Sequence, residues 1–101
     1  MLHGLWERVM IASFRSKALK RFWEKNDGRG LNPQHLNKID LLLSALDEAA
    51  KPEDMNAPGF DFHKLHGDIP PRWSVHVNGN WCITFSFEAN DAIAVDYLDY
   101  H

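Results

Sequence analysis

Between Trp73 and Phe87 the chain alternates apolar and polar residues on both sides of an Asn78-Gly79 pair, and this pattern constrains the fold more than any other stretch. Asn-Gly suits a two-residue hairpin turn because both residues tolerate the positive φ that such turns demand. Before it, Trp73, Val75 and Val77 alternate with Ser74, His76 and Asn78. After it, Trp81, Ile83, Phe85 and Phe87 alternate with Cys82, Thr84 and Ser86. A strand turns successive side chains to opposite faces, so this hairpin has one apolar face that must be covered and one polar face. Glu88 to Asp91 predict another turn, and Ala92 to Leu98 a last strand. Strict alternation there puts Asp99 and His101 on the face of Ile93 and Val95, so His101 meets Cys82 only if the strand bends.

The first half supplies the cover. From Ser16 to Lys25, Ala18, Leu19, Phe22 and Trp23 form one helical stripe that continues from Phe14, while Lys17, Lys20, Arg21 and Lys25 take the other face. Gly28 and Gly30 are expected to end this helix. Asn32 can cap a second helix whose first position, Pro33, needs no N–H. Leu36, Ile39, Leu43, Leu46 and Ala50 then recur at three- and four-residue steps until Pro52 closes the segment. The helices are expected to form an antiparallel hairpin. Met10 to Phe14 reads as a short strand leading into the first helix. The expected class is α+β, two N-terminal helices packed on an antiparallel sheet of about four strands. Residues 10–101 form the domain and 1–9 an extension, in which Leu2, Leu5, Trp6 and Val9 fall at helical spacing.

A chain of 101 residues has room for one core. Its apolar share of 45% and charged share of 25% exclude a disordered protein. No apolar run approaches the ~20 residues of a membrane span, and Met1 to Val9 do not read as a signal peptide. A single cysteine, Cys82, excludes an internal disulfide and fits a reducing compartment, so a cytoplasmic location is expected. The net charge of −3 is unevenly spread. Up to Lys51 there are nine Lys/Arg against six Asp/Glu; from Pro52 onward only Lys64 and Arg72 face eight carboxylates. Contact with a nucleic acid must therefore lean on the first half, on a partner, or on a few local groups.

From Met10 to His101 the chain resembles the HigB family of plasmid-maintenance killer proteins, within the RelE superfamily. The marks are Met10-Ile11-Ala12-Ser13-Phe14, Leu46-Asp47-Glu48-Ala49-Ala50 and Pro52-Glu53-Asp54-Met55, followed by Leu65-His66-Gly67-Asp68 and Trp73-Ser74-Val75. Gly79-Asn80-Trp81-Cys82-Ile83-Thr84-Phe85 and the closing Val95-Asp96-Tyr97-Leu98-Asp99-Tyr100-His101 complete them. The resemblance implies the toxin of a type II toxin–antitoxin system, a ribosome-dependent mRNA endonuclease needing no metal or other cofactor. It implies a HigA-like helix-turn-helix antitoxin, contact with operator DNA only through that antitoxin, and no membrane partner. His101, with Asp99 and Tyr100, matches the family's C-terminal catalytic end, and Asn80-Trp81 its hairpin. This chain departs from the family at His66, where relatives usually carry Lys, at Asn78, where some carry Arg, and at Cys82, where Arg follows Asn-Trp.

Cleavage by a neighbouring 2′-hydroxyl needs a base for that proton, an acid for the leaving 5′-oxygen, and donors for the charge that builds on phosphorus. His101 and His66 are competent acid–base groups near neutrality, Tyr100 can donate, and Lys64, Arg72 and Asn78 are the candidate RNA contacts. Cys82 has neither the fixed charge nor the fork of an arginine. A second reading follows from that substitution: a toxin fold with little cleavage, acting mainly by binding its antitoxin and regulating the operon. A toxin disarmed at residue 82 to allow its production is a third.

Overall fold

The computed structural model describes residues 11–100, so the 1–9 extension, Met10 and His101 lie outside the described residues. Ser16 caps the first helix, α1 (Lys17–Lys25), by accepting the Leu19 N–H at 3.1 Å. Asn26, in the left-handed conformation at φ 54°, closes it by donating its N–H to the Phe22 carbonyl. The helix therefore stops before Gly28 and Gly30, because asparagine tolerates this conformation nearly as well as glycine. Gly28 has a different job. A Cβ there would stand 3.0 Å from Leu36 Cδ1, so the bare backbone lets the connecting loop lie against the start of the next helix.

Asn32 caps as expected, accepting the Gln34 N–H at 2.9 Å, but Pro33–His35 forms a tight 3-10 turn before α2 (Leu36–Glu48). Ile39, Leu42, Leu43 and Leu46 are fully buried along α2. Ala49 is buried and Ala50 exposed, a one-residue change from the expected stripe, because the chain leaves the helix at Ala49 in an extended conformation. A second 3-10 turn, Pro52–Met55, tucks Met55 into the core.

The sheet contains β1 (His63–Leu65), β2 (Arg72–Asn78), β3 (Trp81–Glu88) and β4 (Asp91–Asp99), antiparallel throughout and ordered β1-β2-β3-β4. The helices cover one face. α1 leans on β4 and α2 on β2, rather than chiefly on each other as a helical hairpin would. Leu19, Val75, Ile83, Phe85 and Val95 join the α2 residues in a core without exposed surface, each side chain worth roughly 1.5–3 kcal/mol. Ile11 and Phe14 do not form a strand. They make isolated parallel bridges to Ala92 and Val95, on either side of a bulge at Ala94 (φ 52°) that bends the β4 edge between them. No helix among the described residues is long and apolar enough to cross a membrane.

The Ala94 bulge also changes the phase of the last strand. Ile93 pairs with Ser86 on the face away from the helices, whereas Val95 is buried in the core. The two residues that strict alternation treats as one apolar pair are thus on opposite faces.

Candidate functional site

On the face away from the helices, Arg72 opens β2 in phase with Ser74 and His76. Its guanidinium lies across the sheet: Nη1 donates to Ser86 Oγ at 3.2 Å, and Nη2 donates to Thr84 Oγ1 at 2.7 Å and to the Ala94 carbonyl at 2.9 Å. Ser86 Oγ passes a bond on to the Pro71 carbonyl at 2.8 Å. The bulge turns the Ala94 carbonyl towards Arg72, while Ser13 Oγ accepts the Ala94 N–H at 2.9 Å. This network explains why the polar face of the hairpin is largely closed to solvent: Arg72, Ser74, Thr84 and Ser86 are all buried.

Burial, with a smaller contribution from Arg15, pushes Arg72 below the ordinary guanidinium value, and Asp96, Asp68 and Tyr100 act in the other direction. A guanidinium starts far enough above neutrality to stay charged. The face therefore holds a permanent positive charge fixed by three strands.

Cys82 lies half-buried on the same face, opposite His76 on β2 and Leu98 on β4. Burial, and then the negative charge of Asp61, push its thiol up, so it is neutral at physiological pH. His76 Nε2 is 2.8 Å from the Gly79 carbonyl. A carbonyl only accepts, so Nε2 carries the hydrogen and the Nδ1 of the neutral ring is the acceptor.

Just past β4, Tyr100 donates its backbone N–H to the Asn80 carbonyl at 2.7 Å and leaves its side chain 47% exposed. Asp99 pairs with Trp81, on the helix side of the sheet. There the Trp81 and Tyr97 rings stack at 4.4 Å, and His35 meets both edge-on at 6.2 Å.

Three sequence candidates, Arg72, Cys82 and Tyr100, thus belong to one region. Others do not. Lys64 pairs with Trp73 and so falls on the opposite face from Arg72, because β1 is in register with β2. Asn78 pairs with Trp81 after an irregularity between His76 and Asn78, which moves it out of the phase of Ser74 and His76. His66 is exposed, just after β1 at the edge opposite β4. Three strand spacings, about 14 Å, separate that edge from β4. Arg15, Thr84, Ser86 and Asp96 were not singled out from sequence. The available signal was a lone cation in phase with a row of small hydroxyl residues, which marks a buried, hydrogen-bonded arginine. Among the described residues no group of three or more His, Cys, Asp or Glu could hold a metal ion.

Such an arrangement can stabilise an anion: a fixed cation lies beneath the surface, with a phenol donor on the same face. Residues 12–101 match a family model described as a RelE-like toxin of type II toxin-antitoxin system HigB. The chain is also 39% identical over 92 residues to Endoribonuclease HigB of Proteus vulgaris, a match spanning 91% of this chain and 100% of that relative.

Proposed function

The chain belongs to the HigB-like family of RelE-like toxins, and from that premise we propose that it is a toxin that cuts mRNA on the sheet face holding Arg72. The reading as a toxin fold devoted to binding alone is not favoured, since the similarity runs through the full length of a relative named as an endoribonuclease.

In this reaction the 2′-hydroxyl loses its proton to a base, its oxygen bonds to the adjacent phosphorus, and the 5′-oxygen leaves with a proton from an acid. The products are a 2′,3′-cyclic phosphate and a 5′-hydroxyl. Tyr100, just past β4, supplies a donor, His101, which follows it in sequence, supplies an acid–base group, and Asp99 is a third member of this C-terminal set. The guanidinium of Arg72 provides positive potential under the phosphate, and such preorganised charge is a large part of catalysis. His76 Nδ1 is a further acceptor on this face. The observation that carries the proposal is the fixed charge of Arg72, bonded to Thr84 and Ser86, on the face shared with Tyr100. Cys82 adds no charge, so turnover is slow.

With so few exposed cations around the site, free mRNA is held weakly. The ribosome therefore presents the substrate, in the cytoplasm, and a HigA-like helix-turn-helix antitoxin neutralises the toxin and carries it to operator DNA. Primer extension on mRNA with and without ribosomes, each with EDTA, tests the scheme. Cutting that requires ribosomes and persists in EDTA is expected. Efficient cutting of free RNA, or its loss in EDTA, overturns it.

A further inference from the structure

Much of the charge on α1 works against the helix's own stability, although Lys25, in the last turn, favours its dipole. Lys17 stands in the first turn, which contains no acidic residue, so it opposes the positive end of the helix dipole. Lys17 and Arg21, and again Arg21 and Lys25, are four residues apart on the exposed side. Each such like-charge pair costs a few tenths of a kcal/mol. Compensation is slight. Lys20 approaches Glu24 at 3.8 Å with both side chains about half exposed, and among the described residues Lys17, Arg21 and Lys25 form no ion pair. Between Arg15 and Arg29 the chain holds six Lys/Arg and two Asp/Glu, in a protein of net charge −3. Local rules broken without a structural gain point to a function.

The surface itself selects the partner. Lys17, Lys20, Arg21, Glu24 and Lys25 line a shallow depression, while Leu19 is buried and Phe22 and Trp23 pack against the core. Protein interfaces are anchored by aromatic and aliphatic side chains in a desolvated centre, and this face presents none. Contacts to nucleic-acid phosphates need only Lys and Arg. At the start of α1, Arg15 lies close enough to Arg72 for their charges to interact, which joins the helix end to the cutting face.

We propose that the outward face of α1 is a docking surface for the phosphate backbone of a folded RNA, separate from the sheet face where cleavage occurs. The proposal rests on the RNA-cutting reading but is tested by binding, without reference to cleavage. The contacts ignore base sequence, and their strength falls steeply with salt.

The test compares three full-length proteins: the native chain, Lys17→Gln/Arg21→Gln, and Lys38→Gln/Lys51→Gln, which removes the same charge elsewhere. Affinity for purified ribosomes and for a plain RNA hairpin is measured across salt concentrations, and each fold is followed by urea unfolding. The α1 pair is expected to flatten the slope of log affinity against log salt by about 0.7–0.9 per lost contact. Its urea midpoint should hold or rise, because like charges have been relieved. The control pair should leave the slope near the native value. Equal slopes for the native chain and the α1 pair overturn the proposal, as does an equal loss in the control pair. Loss of antitoxin affinity with an unchanged RNA slope overturns it in favour of a protein partner. A native chain that binds ribosomes through α1 but cuts nothing counts against the cleavage scheme alone.

Discussion

His35 Nδ1 lies 2.8 Å from the Tyr97 hydroxyl, joining the turn before α2 to the last strand across 62 residues of sequence. His35 is buried, and the Asn32 backbone lies close enough to the phenol to favour its ionised form. Trp81 stacks on Tyr97 and pairs with Asp99. The cluster thus fixes, from the helix side, the strand end that carries Asp99 and Tyr100.

Tyr97→Phe keeps the ring but leaves His35 without that partner, so unfolding in urea should show a loss of about 1–3 kcal/mol, the cost of an unsatisfied buried group. There is also a pH signature. Burial raises the Tyr97 hydroxyl above its ordinary value of 10, the Asn32 N–H lowers it, and the charge of Asp99 raises it. A raised acid stabilises the fold fully below the unfolded value and loses that contribution as pH climbs through the folded one. The native chain should therefore lose stability above about pH 10 more steeply than Tyr97→Phe. Parallel curves for the two proteins would refute this.

Arg72→Lys keeps a charge but cannot span Thr84, Ser86 and the Ala94 carbonyl at once. Stability should fall by about 1–3 kcal/mol, and cleavage should fall even where urea titration shows the variant still fully folded. An Arg72→Lys protein with native cleavage would place the reaction elsewhere.

Cys82→Arg restores a charged donor beside the proposed phosphate position, and ribosome-dependent cleavage should rise by about 10²-fold. Cys82 is half-buried, so a stability cost of up to ~1 kcal/mol is expected, more than for an exposed site. Removing His101 in that background should abolish the gain. The readouts are growth arrest and cleavage of ribosome-bound mRNA, and an inactive Arg variant would show that residue 82 is not the missing donor.

Ala94 occupies the left-handed region at φ 52°, where an alanine costs roughly 1 kcal/mol more than glycine. Ala94→Gly should therefore raise the urea midpoint modestly and leave the Arg72 bond to its carbonyl intact. A lower midpoint would mean that the Ala94 methyl group is needed for packing.

The elements with strong local signals were legible in the sequence: the β2–β3 hairpin, the Asn32-Pro33 helix start and the apolar stripe of α2, although the hairpin's two turn residues are Gly79 and Asn80, one step later than the expected Asn78-Gly79, because Asn78 still pairs with Trp81 at the end of β2. The α+β class followed from them. What escaped depended on pairing between distant segments. Nothing local to Ala94 marks a bulge, since an alanine at positive φ is held there by Ser13 and Arg72 from elsewhere in the chain. Without that bulge the phase of Ile93 and Val95 is misread. Asn78, expected in phase with Ser74 and His76, is shifted by the irregularity near the turn, and the face that Lys64 takes follows from the register of β1, which nothing local announces. Arg72 was found as a cation, but its burial became visible only once β2, β3 and β4 were assembled.

The segment from Ile11 to Ser16 closes much of the outer margin of β4. Ala12 donates to the Ala92 carbonyl at 2.7 Å, Arg15 and Ser16 donate to the Val95 carbonyl at 2.8 and 3.3 Å, and Val95 donates to the Ser13 carbonyl at 3.1 Å. The other margin, β1, is only three residues long. An unpaired strand edge is a template on which a second chain can add itself and begin an aggregate. Here the long edge is occupied by the protein's own backbone and the other edge is short. The protein can thus remain a separate molecule, free of edge-to-edge polymerisation, and its associations are left to side chains.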